Sequence, residues 1–118
     1  MKQNKVLVID HEVKFQRNVS TFLAMHNYKV IAAFNGDEGV KKANDEEPDL
    51  ILVDEMVPCV DKKVVLGELK NNERVSKVPL IMITDRDSKT DKGKSKNYIV
   101  KPFRLIDLER KIRNILNT

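Results

Sequence analysis

The sequence predicts an α/β fold, a doubly wound five-stranded parallel sheet with helices on both faces. Two kinds of observation carry this. The runs at residues 6–9, 50–53 and 80–83 are unbroken apolar stretches rich in Val, Ile and Leu, as strands buried on both faces require. Helical periodicities separate them, and a strand–helix alternation implies parallel strands joined by right-handed crossovers.

In chain order, the first strand run, VLVI, opens directly onto Asp10, His11 and Glu12. Val13, Phe15, Val19, Phe22 and Leu23 then approximate one face of a first helix. A weaker strand follows at residues 30–34, and the turn signal Asn35-Gly36 precedes a short helix predicted over residues 37–44. The third strand, LILV, ends in Asp54 and Glu55. Val64, Val65, Leu66 and Leu69 mark a third helix, which Gly67 interrupts at about 1 kcal/mol relative to Ala. The fourth strand ends in Thr84 and Asp85, and a short fifth at residues 98–100 runs into Lys101-Pro102. Leu105, Leu108, Ile112, Ile115 and Leu116 face one way on a last helix.

The 118 residues are expected to form one domain, residues 1–118, large enough for a single core. Aromatic residues are 5% with no Trp, so that core must be mostly aliphatic. No apolar run approaches the roughly 18 residues of a membrane span, and the polar start MKQNK leaves no room for a signal peptide. Cys59 is the one cysteine, which suits a reducing cytosol, and a bystander role is expected for it. The net charge of +4 is too small a bias to argue for nucleic acid, although Arg86 to Lys96 holds five Lys/Arg and Arg104 to Arg113 four more.

In a parallel sheet the site lies beyond the carboxyl ends of the strands. Asp10, His11, Glu12, Asp54, Glu55, Thr84, Asp85 and Lys101 would therefore meet at one rim. Carboxylates suit Mg²⁺, while a hydroxyl and an ammonium can bind an anion. Together these are the parts needed to move a phosphoryl group onto an aspartate.

The segments VLVIDHE, PDLILVDEMVP, VPLIMIT and YIVKPF, in that order, resemble a response-regulator receiver domain of two-component signalling across essentially the whole chain. The resemblance implies a flavodoxin-like strand order 2-1-3-4-5. It makes Asp54 the phosphoacceptor, with Asp10 and Asp54 holding Mg²⁺, Thr84 binding the phosphoryl group and Lys101 as the family's lysine before a cis proline bond. Tyr98 matches an aromatic switch that turns inward when Thr84 engages phosphate. A histidine kinase or phosphotransfer protein would be the donor, in a cytoplasmic signalling switch that is not a turnover enzyme. A flavin carrier shares the topology, but no Ser/Thr/Gly-rich phosphate loop follows strand one.

Two departures from the family pattern stand out. His11 occupies a position where the family has a second acid, which removes a carboxylate from the metal site. Opposite charges ~4 Å apart interact by about 4 kcal/mol at an effective dielectric near 20, so even a fraction of that weakens Mg²⁺ binding by orders of magnitude. Imidazole suits Zn²⁺, Cu²⁺ or Ni²⁺ better, but two acids do not make a transition-metal site. Glu12 is a poor replacement, because adjacent strand residues point in opposite directions. Asp85, where the family has a small residue, either caps the next turn or partly restores the lost carboxylate.

The second departure is DRDSKTDKGKSK, residues 85–96, which contains no apolar residue. A crossover helix must bury an apolar stripe, so the helix between strands four and five is expected to be missing or reduced. Its loss would leave an Ile-rich sheet edge for a homodimer or effector. Lys62 also stands where the family prefers glycine. The alternative function is a degenerate pseudo-receiver that signals by protein contact without phosphorylation. His11, Asp85 and the missing helix favour it; the intact Asp54, Thr84, Lys101 and Tyr98 favour the phosphoacceptor.

Overall fold

The computed structural model describes residues 3–58, 67–68, 71–85 and 97–117. Five parallel strands, β1 (Asn4–Ile9), β2 (Tyr28–Ala33), β3 (Leu50–Asp54), β4 (Leu80–Thr84) and β5 (Tyr98–Val100), form one sheet. Their order is β2-β1-β3-β4-β5, as predicted. The described helices are α1 (Val13–Met25), α2 (Gly36–Glu46), α3 (Glu73–Ser76) and α4 (Leu105–Leu116). The expectations for Cys59, Lys62, the apolar residues of the third helix and the segment 86–96 lie outside the described residues. Gly67 and Glu68 are helical.

Strand alternation divides the core in two. Leu7, Ile9, Ile51 and Val53 join Val40 and Ala43 of α2 and Val75 of α3 on one face. Val6, Val8, Leu50, Leu52, Ile81 and Ile83 meet Val19 and Leu23 of α1 and Leu108 and Ile112 of α4 on the other. Both faces of β1 and β3 are thus covered, which is why their sequences are continuously apolar.

Several boundaries differ from the predicted ones. Tyr28 is buried and opens β2, whereas Phe34 lies beyond its end and is exposed. Helix α2 extends past both predicted ends; Asn35 caps it by accepting from the Glu38 N–H at 2.8 Å. Of the predicted first-helix face, Phe15, Val19, Phe22 and Leu23 pack into the core and Val13 does not. Val13 is 58% exposed and Gln16 is buried, because the Gln16 amide finds three backbone carbonyls. Its Nε2 donates to Val8 O at 2.8 Å, Ala33 O at 2.8 Å and Asp10 O at 3.1 Å. A side chain that satisfies its polar atoms can be buried where an apolar count places none. The predicted open sheet edge is also only partly so: Ile81 and Ile83 are fully buried, while Leu80, Met82 and Ile99 are half-buried.

A carboxylate pair and a lysine at the strand ends

Asp10 follows β1 directly and is held there by its N–H, which donates to Ala33 O at 2.9 Å. The side chain is fully buried. Its Oδ1 accepts the Glu12 N–H at 2.9 Å, while Oδ2 has no hydrogen-bond partner among the described residues. Asp54 closes β3 in register with Ile83, and it too is buried. Oδ1 of Asp54 accepts the Met56 N–H at 2.8 Å, and Oδ2 accepts Lys101 Nζ at 2.6 Å. Lys101 is placed by its own N–H, which donates to Thr84 O at 2.8 Å, just before a cis Lys101-Pro102 bond. The ammonium lies 5.0 Å from the centre of the Phe15 ring, and Phe103 packs edge-on against that ring. Thr84, at the end of β4, is buried, and its hydroxyl donates to Glu55 Oε1 at 2.7 Å.

These contacts separate the two carboxyls electrostatically. Burial raises the pKa of Asp10, and the nearby charge of Asp54 raises it further. Burial pushes Asp54 up as well, but the Lys101 and Met56 hydrogen bonds and the Lys101 charge prevail and hold it below the usual carboxylate range. Lys101 is raised: burial opposes its charge, but the bond to Asp54 and the charges of Asp54, Asp10 and Asp85 outweigh that. Asp54 is therefore the more readily ionised member of the pair, with Lys101 as its counter-ion.

His11 Nδ1 lies 3.8 Å from Asp10 Oδ1, and its side chain is about half exposed. Among the described residues no three His, Cys, Asp or Glu side chains gather around one point. The donors that do meet are two buried carboxylates, one with a bare oxygen. That is a partial set of hard oxygen ligands and fits a divalent cation whose remaining positions hold water. Asp85 is exposed and acts on Lys101 through its charge. Tyr98 opens β5 opposite Met82 and is half-buried.

A family profile for the response regulator receiver domain matches residues 6–113. The chain belongs to that family. Over 98% of its length it is 38% identical to a probable transcriptional regulator ycf27 of Porphyridium aerugineum, covering 49% of that protein. Protein PilG of Pseudomonas aeruginosa is 35% identical over 84% of this chain and 77% of its own length. The fold is also that of the receiver domain of sensor histidine kinase PA1611 from Pseudomonas aeruginosa PAO1, solved with a magnesium ion coordinated in its active-site cleft. The two agree with a TM-score of 0.88 at 22% identity, over 99% of this chain and 100% of that one. This receiver domain spans about half the length of the ycf27 relatives that it matches.

Sequence reasoning brought Asp10, Asp54, Thr84 and Lys101 of the receiver domain to one rim, and the structure brings them there. It missed Glu55 as the acceptor for Thr84 and Gln16 as the clasp behind Asp10. The available signal for Glu55 was an acid directly after Asp54. For Gln16 there was none, since a polar residue in an amphipathic helix reads as solvent-facing.

Proposed function

We propose that this receiver domain takes a phosphoryl group on Asp54 from a histidine kinase or phosphotransfer protein and thereby switches its protein contacts. The observation that carries the reading is the buried, ionised Asp54 carboxylate bonded to Lys101 and set beside Asp10. A buried carboxylate kept charged by an ammonium and a backbone N–H is a nucleophile held ready. In transfer, an Asp54 oxygen attacks phosphorus while the donor's P–N bond breaks and its imidazole nitrogen keeps the electron pair. Lys101 can follow the charge from Asp54 Oδ2 to a phosphoryl oxygen, and the Thr84 hydroxyl can donate to another. Mg²⁺ held by Asp10 and Asp54 would neutralise charge on the phosphoryl oxygens. Tyr98 would respond to the movement of Thr84. The domain would act in the cytoplasm as a switch and not as a turnover enzyme; among the described residues no helix is long and apolar enough to cross a membrane.

Incubation with a small phosphodonor and Mg²⁺, followed by intact mass, tests this. One added phosphoryl group, absent in Asp54→Asn, is expected. The half-exposed imidazole at position 11 favours a second reading, a pseudo-receiver that never charges Asp54. Under the first reading metal is held weakly, and His11→Asp tightens Mg²⁺ binding by at least about tenfold, because an anionic oxygen replaces an imidazole, a poor Mg²⁺ donor. Calorimetric titration reads the change, and equal affinity in both proteins would show that position 11 does not reach the metal. The same titration of Asp85→Ala decides whether Asp85 supplies a substitute carboxylate.

A further inference from the structure

The Thr84 hydroxyl is already engaged before any phosphoryl group arrives. Its Oγ1 donates to Glu55 Oε1 at 2.7 Å, and Glu55 is the residue next to Asp54. The Glu55 N–H donates to Ile83 O at 2.9 Å, so its backbone is fixed to β4 one residue before Thr84. A hydroxyl has a single proton to donate. Thr84 can give it to Glu55 or to a phosphoryl oxygen on Asp54, but not to both. An aspartyl phosphate would also place two or so negative charges beside the Glu55 carboxylate, which repels it.

We propose that Glu55 is an internal competitor for the Thr84 hydroxyl: it latches the unmodified domain and is displaced when Asp54 carries a phosphoryl group. The proposal rests on the reading of Asp54 as the acceptor and names the residue that opposes the switch. Glu55 acts through Thr84, so it is a positioning residue. Its contribution is to the equilibrium between resting and phosphorylated arrangements. The charge matters as well as the contact, because a hydrogen bond to a carboxylate is stronger than one to a neutral oxygen.

The test uses the full chain with Glu55→Gln, Glu55→Ala, Thr84→Ala and the Glu55→Ala/Thr84→Ala double variant. Without ligand, NMR couplings report the Thr84 side-chain rotamer, one staggered state in the parent and an average in Glu55→Ala. Beryllium trifluoride with Mg²⁺, a phosphoryl mimic, is then titrated by ¹⁹F NMR. Glu55→Ala is expected to bind it about tenfold more tightly, as the loss of one charged hydrogen-bond competitor implies, with Glu55→Gln between. The gain should vanish in the Thr84→Ala background. An unchanged rotamer, or a gain that persists without Thr84, would overturn the latch. If the rotamer is released but no variant binds the fluoride, the acceptor reading fails and the competition falls with it.

Discussion

The Asp10 carboxylate is fully buried, and among the described residues its Oδ2 has no hydrogen-bond donor. Burial and the Asp54 charge raise its folded pKa above the unfolded value. Such a group favours the folded state most below its unfolded pKa, and that contribution is lost as pH rises through the folded pKa. Ionising Asp10 therefore costs the folded state stability. Asp10→Asn is expected to raise the unfolding free energy at pH 7 by about 1–2 kcal/mol, since an unsatisfied buried charge is removed. Urea denaturation across pH checks this. The advantage should shrink as pH falls through the folded Asp10 pKa, and a loss of stability at pH 7 would contradict the assignment. Asp54 has the opposite sign. Its depressed pKa contributes stability above its unfolded value, lost as pH falls through the folded one.

Two helical glycines should respond in opposite ways. A Cβ at Gly39 in α2 would come within 2.5 Å of Ile9 Cδ1, 3.0 Å of Cγ1 and 3.2 Å of Cγ2. Ile9 is buried in β1 and cannot retreat freely. Gly39→Ala is expected to lose about 1–2 kcal/mol, overpacking outweighing the gain in helix propensity. A Cβ at Gly67 meets nothing within 4 Å, so Gly67→Ala should gain about 0.5–1 kcal/mol. Thermal melts of both variants decide it, and stabilisation by Gly39→Ala would disprove the tight α2–β1 contact. The same contrast shows what sequence can reveal about elements. β1, β3 and β4 were legible because burial inside the sheet leaves unbroken apolar runs, whereas the edge strands β2 and β5 left weaker ones. The first-helix face was misread at Val13 and Gln16, because backbone carbonyls of β1, of β2 and of Asp10 that satisfy an amide leave no mark in the local pattern.

Across the molecule, polar contacts over long sequence separations join the ends of the chain to the sheet. Lys101 reaches Asp54, and Tyr28 of β2 donates to Glu109 of α4 at 3.0 Å, both side chains buried. Burial and Glu109 push the Tyr28 hydroxyl up to about 12. Glu109, in a run of charges, could not be singled out from sequence, and Glu55, visible just after β3, could not be paired with Thr84, because each finds its partner on a strand remote in the chain. Parallel topology sends every strand's carboxyl end to one rim, and the family resemblance then picks out Asp10, Asp54, Thr84 and Lys101 there. That convergence on Asp54 is tested most directly by locating the phosphoryl group. After treatment with a small phosphodonor and Mg²⁺, borohydride reduction converts an aspartyl phosphate to homoserine, and peptide mass mapping finds its position. Homoserine at position 54 alone is expected. Homoserine at another acidic residue, or none under conditions that label a competent receiver domain, would contradict Asp54 as the acceptor.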